Sequence, residues 1–172
     1  MRNTGTCSMP TIPAMGQAQD RFARLVKSMW GPALRELGFT GSGRVWTLAD
    51  PIDWAMLGFQ TSTASTSDQA KFTINLLVVG KAAWDDARAQ HPWYSARPSP
   101  NTIALHRYAQ RSGPLICGAD HWWHLAGDGS NEDEIRDEVL CALRAVIVPK
   151  LKAELADRTP GPRGRFEKLR CD

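Results

Sequence analysis

The chain has little of what usually announces chemistry. Its four cysteines, Cys7, Cys117, Cys141 and Cys171, are spread over 172 residues without a CxxC pair. Cys141 falls in a helical pattern, and Cys7 and Cys171 lie near the ends, so a disulfide framework is not expected. Histidines number four, and no phosphate-binding loop, dinucleotide fingerprint, HExxH or paired-carboxylate motif is present. The longest aliphatic runs, 76–79 and 145–148, are far too short to cross a bilayer. Residues 1–16 are polar and interrupted by prolines, which gives them no secretory apolar stretch. A formal charge of +3 is too small to argue for a nucleic-acid partner. These absences lead to the expectation of a soluble, reduced, cytoplasmic protein with no membrane contact, no metal and no cofactor.

What the chain does have is patterning. Trp54 to Thr61 and Lys71 to Val79 are two alternating runs joined by a polar stretch rich in Ser, Thr and Asp. Phe72, Ile74, Leu76 and Val78 share one face of the second run, so the pair reads as a hairpin with one buried side. Another strand is expected over 44–48, closed by Ala49-Asp50-Pro51. Two more are expected over 102–108 and 121–126.

Helical periodicity surrounds these strands. Phe22, Leu25, Val26, Met29, Ala33 and Leu37 recur at spacings of three and four, with Pro32 as an expected kink. Gly38 suits the left-handed residue after the helix. Residues 81–90 suit one or two helical turns, and 91–101, with three prolines, an irregular loop. After Ser130 and Asn131, Glu132, Asp133 and Glu134 load a helix N-terminus, and Ile135, Val139, Ala142, Leu143, Val146 and Ile147 form its buried stripe. Pro149 should bend or end it.

The expected fold is α+β. An antiparallel sheet of four to five strands carries an N-terminal and a long C-terminal helix on one face. Residues 1–16 form a flexible arm, 17–157 the single domain and 158–172 a basic flexible tail. The expected core includes Phe22, Met29, Phe72, Ile74, Leu76, Ile135, Val139 and Leu143.

His106, Cys117, His121 and His124 are the sole candidate metal group. Residues three apart on a strand point to opposite faces, so His121 and His124 diverge and no metal site is expected. Cys117 has no nucleophile elbow around it and is expected to be buried and inert. One candidate acid–base set remains: Gln60, Asn75, His106, Tyr108 and His124, if neighbouring strands bring them to one uncovered sheet face. Mutual hydrogen bonding of these polar groups is the plainer account.

Tryptophans number seven, with Trp30, Trp46 and Trp54 expected in the core. Adjacent Trp122 and Trp123 must point to opposite sides of a strand. Together with Trp93 and Tyr94 they suggest a binding surface, with Arg107 and Arg111 at its rim. Equally consistent is a loop 91–101 that folds over the sheet and buries Trp93 against Trp122 or Trp123. The tail carries Arg158, Arg163, Arg165, Lys168 and Arg170 against Glu167 and Asp172, and is the one place where nucleic acid is a candidate partner.

The phrases Leu34–Phe39, Gly58-Phe-Gln-Thr-Ser, Phe72-Thr-Ile-Asn and Trp122-Trp123 before the acidic-capped helix together resemble the family catalogued as domain of unknown function 4304. The resemblance spans about 22–149 and implies a small bacterial α+β domain; it supplies no activity and no catalytic residue. The function expected is a non-catalytic binding or accessory protein, of immunity type, regulatory, or a subunit of a complex, with another protein as partner. The alternative is a small enzyme using the acid–base set above.

Overall fold

The computed structural model describes residues 16–102 and 104–158. The flexible arm and the basic tail expected at the two ends lie outside those residues, save for Gly16 and Arg158. The fold is α+β, as expected, with six antiparallel strands among the described residues. They are β1 (Phe39–Ser42), β2 (Val45–Leu48), β3 (Asp53–Thr61), β4 (Gln69–Gly80), β5 (Tyr108–Arg111) and β6 (Trp123–Ala126). Helices α1 (Gln17–Leu25) and α2 (Gly31–Glu36) precede the sheet, and α3 (Lys81–Gln90) follows β4. A short α4 (Ser112–Cys117) follows β5, and α5 (Glu132–Ala142) and α6 (Val148–Ala156) close the described chain.

Strand β4 organises the sheet. The β3–β4 hairpin pairs all nine residues of β3, from Asp53 with Gly80 to Thr61 with Phe72. On its other edge β4 pairs with β5 over Asn75–Val78 and with β6 over Gln69–Phe72. Paired residues share a face, so this register sorts the side chains. Phe72, Ile74, Leu76 and Val78 point inward with Phe59, Leu57, Ala55, Trp46 and Leu48, against Phe22, Leu25, Trp30, Leu34, Val139, Leu143 and Leu151 of the helices. Met56, Leu77 and Val79 point outward and pack under Trp84 of α3, with Trp54 and Tyr94 beside them.

The helices on the inner face hold a departure from the expected pattern. Between α1 and α2 the helix widens into a π turn, Val26–Trp30, and the same occurs between α5 and α6 at Leu143–Ile147. Each wide turn comes two residues before a proline, Pro32 or Pro149. A proline inside a helix lacks an N–H and collides with the carbonyl four residues back; a wide turn relieves that contact without stopping the helix. The extra residue also rotates the phase. Trp30, not Met29, enters the core, and Met29 stands 38% exposed. Trp30 stacks on Phe59 at 5.3 Å between ring centroids, and its indole N–H donates to the Arg136 carbonyl at 3.3 Å.

Other boundaries differ as well. Strand β1 was not anticipated, because Phe39-Thr-Gly-Ser is short and has no alternation. The strand expected over 102–108 begins at Tyr108: pairing with β4 starts only where the Arg107 N–H reaches the Val78 carbonyl at 2.8 Å. Helix α4 has six residues, too few for a periodic signal. Gly38 adopts φ 96° after α2, as its position required. Asn131 takes the cap position of α5 but turns its side chain to β6, accepting from the Ala126 N–H and donating to the His124 carbonyl.

A candidate binding cleft on the outer sheet face

The helices leave the outer face to α3 and the loop that follows it. That loop crosses the sheet at Gly58, where the missing side chain makes room. A Cβ there would stand 2.6 Å from Pro100 Cγ and 2.7 Å from Asn101 Oδ1. Asn101 is locked in place by its neighbours. Its amide donates to the Phe59 carbonyl at 3.2 Å, and its oxygen accepts from Asn75 Nδ2 at 3.0 Å. Asn75 Nδ2 also donates to Gln60 Oε1 at 2.7 Å. The loop thus divides the outer face.

On the β1 side of that divide lies a cleft of about 820 Å³. Its floor is the outward row of the first three strands: Thr40, Val45, Thr47, Met56 and Trp54. Lys81, at the start of α3, and Arg97, in the loop, both approach the Trp54 ring, at 5.0 and 5.6 Å from its centroid. The ammonium of Lys81 donates to the Asp50 carbonyl at 2.5 Å.

Two carboxylates line the same cleft, and both are engaged. Asp50 Oδ1 accepts the N–H groups of Ile52 and Asp53, each at 2.8 Å, which shapes the β2–β3 turn expected at Ala49-Asp50-Pro51. Its other oxygen lies 3.5 Å from Arg158. Burial alone would raise its pKa, but those two backbone donors and the charges of Arg158 and Lys81 outweigh it and hold the carboxyl below its usual range. Asp53 is buried and pairs with Arg107 at 2.9 Å. Arg107 also donates to the carbonyls of Glu154 and Asp157 at the end of α6. Expected at the rim of a binding surface, Arg107 is instead an internal clamp. Lys81 and Arg97 make no ion pair among the described residues.

The other expected surface residues are divided among three places. Trp93 is 76% exposed and touches His91, with ring centroids 4.7 Å apart. Tyr94 packs edge-on against Trp84 at 4.8 Å, so the loop does fold over the sheet, but without covering Trp93. Trp123 is in the core, stacked on Phe72 at 5.5 Å, because the β4–β6 register pairs those two residues. Trp122 lies half-buried beside Lys71 and Arg111, at 5.3 and 5.1 Å, and donates to Asp120. Arg111 also pairs with Asp120 at 3.2 Å.

Of the acid–base set, only Gln60 and Asn75 meet. Tyr108 pairs with Val78, which puts it on the inner face, opposite Asn75. There burial, with Glu154 adding to it, pushes the phenol pKa up to about 12. His106 bonds its ring to the Ala104 carbonyl at 2.8 Å, and His124, exposed, to Gln69 Oε1 at 3.0 Å. No metal-binding group occurs among the described residues. Cys117 and Cys141 are free and exposed, so the burial expected for Cys117 does not occur; it is the last residue of α4, just before Gly118 reverses the chain. No helix among the described residues is long and apolar enough to cross a membrane.

Sequence reasoning missed the cleft. Trp54 was assigned to the core, yet the alternation Trp54, Met56, Gly58 against Ala55, Leu57, Phe59 already placed it on the other face. Lys81 and Arg97 carry no pattern that separates them from ordinary surface cations.

Fold and cleft together define an α+β domain with α1, α2, α5 and α6 on one side of an antiparallel sheet and, beside α3, an open, aromatic and cationic recess on the other. The chain belongs to the family described as Domain of unknown function (DUF4304), whose model matches residues 30–153. No curated protein and no solved structure matches it.

Proposed function

We propose that the protein is a non-catalytic binding or accessory protein that holds its ligand in the outer-face cleft. The observation that carries this reading is the lining itself. A recess of about 820 Å³ is in the size range of ligand sites, and this one pairs an apolar floor with a few polar groups. Among the described residues its lining includes no histidine and no cysteine. Both of its carboxylates are already engaged by arginines, Asp53 by Arg107 and Asp50 by Arg158. Recognition fits such a lining better than turnover. Of the wider aromatic surface, Trp93 and Trp122 keep enough exposure to serve as anchors for a partner protein.

The test is a thermal-shift screen of small molecules against the wild type and Trp54→Leu. Compounds that raise the melting temperature of the wild type alone support the reading. Conversion of a bound compound to product, or stabilisation indifferent to Trp54, overturns it.

A further inference from the structure

We infer that the cleft selects an organic anion: a carboxylate or phosphate carried on a small apolar or aromatic body. This rests on the cleft being the binding site and adds the chemistry of what fills it. Lys81 and Arg97 both lie against one indole ring, at 5.0 and 5.6 Å, yet neither has a carboxylate partner among the described residues. Two like charges held beside one ring repel, and nearby counter-ions would normally relieve them. Here Asp53 is committed to Arg107, and Asp50, bound to Arg158 and its own turn, attracts Lys81 without forming an ion pair with it. The four cations thus exceed the two carboxylates, and the surplus faces the open recess. The ring attracts each cation and so fixes its position, but it supplies no negative charge to neutralise either.

The donors match an oxyanion. Arg97 offers a planar fork suited to a carboxylate or phosphate edge, and Lys81, with one N–H given to the Asp50 carbonyl, keeps two more. Below them Val45 and Met56 form an apolar floor, and the hydroxyls of Thr40 and Thr47 edge it. An inorganic ion would leave that floor uncovered. A molecule with an anionic head and an apolar body satisfies both halves.

The experiment titrates the full chain with phenylacetate and phenyl phosphate, and with 2-phenylethanol as the neutral counterpart, following indole N–H resonances and heat of binding. Hexaglutamate is the macromolecular arm. Both small anions should bind at least about tenfold more tightly than the alcohol, with affinity falling as salt rises. Arg97→Ala and Lys81→Ala should each weaken the anions about tenfold while leaving the alcohol unchanged. Arg97 is exposed on a loop, so its variant is expected to fold, and circular dichroism checks this. The relative affinities of the two anions distinguish a carboxylate from a phosphate site.

Equal binding of alcohol and anions, dependent on Trp54, overturns the anion assignment but leaves the binding cleft standing. Loss of neither anion in both cation variants overturns it as well. Hexaglutamate binding more than about tenfold tighter than either small anion transfers the site to an acidic peptide and also refutes the proposal. No response from any probe at the Trp54 indole refutes the anion site and the cleft reading together.

Discussion

Substituting Met29 and Trp30 separately tests the wide helical turn that sets the phase of the inner helices. A regular helix running through Pro32 would put Met29 on the buried stripe, whereas the π turn Val26–Trp30 puts Trp30 there. Trp30 has no solvent exposure and sits among Phe22, Phe59 and Phe72, with ring centroids 5.9, 5.3 and 5.4 Å away. Removing it takes away a large apolar side chain, three aromatic contacts and the donor to the Arg136 carbonyl. Trp30→Ala should therefore cost about 3–5 kcal/mol, much of the stability an ordinary domain possesses. Met29→Ala loses a side chain that is largely in water and should stay within about 0.5–1 kcal/mol. Urea unfolding followed by far-ultraviolet circular dichroism reads both, with Trp30→Phe as a graded variant should Trp30→Ala not fold. Comparable losses for Met29→Ala and Trp30→Ala, or a larger one for Met29, refute the phase shift.

Two further substitutions probe what the fold holds in place. Gly58→Ala sets a methyl against Pro100 and Asn101, so the loop must lift from the sheet; the expected cost is about 1–3 kcal/mol, with faster amide exchange over 98–102. Glu132 is held below its usual pKa, first by its hydrogen bond from Arg24 and then by Arg21, with burial opposing. A depressed folded-state pKa stabilises above the unfolded-state value and is lost as pH falls through the folded one. Glu132→Gln should therefore lower stability by about 0.5–1 kcal/mol at pH 7, and the gap to wild type should narrow as pH drops below about 4. A gap unchanged down to pH 3 in urea titrations refutes the pairing.

The sheet and long helices were legible because burial on one face imposes a period. Phe72, Ile74, Leu76 and Val78 alternate since the inner face is sealed by helices, and the stripe from Ile135 to Ile147 answers it. Where tertiary pairing acts without a period, the reading failed. Strand β1 follows from pairing Phe39 with Leu48, not from its own residues. A strand was expected over 102–108, yet among the described residues the loop tether at Asn101 delays pairing with β4 until Tyr108. The phase at Met29 was lost because the periodic template has no place for a residue inserted ahead of Pro32. The cleft was least legible. Its lining comes from β1, β2, β3, the start of α3 and a loop, and only the fold brings Lys81 and Arg97 to Trp54.

Arg21, near the start of the described chain, bonds to Gly127 and Asp128 and pairs with Glu132, 111 residues further on. Trp30 likewise reaches Arg136, 106 positions away. The partners that hold these side chains are thus made more than a hundred residues after them. During synthesis the polar side of α1 must wait for these residues, whereas its apolar face can already pack on β3 and β4 through Phe22. Contacts of such separation pay their loop-closure entropy before any reward arrives, which argues for slower closure than in a helical bundle of similar length. A C-terminally shortened chain ending before residue 131 would lack Val139, Leu143 and Leu151, leave the part of the inner sheet face they cover open to water, and is expected to aggregate.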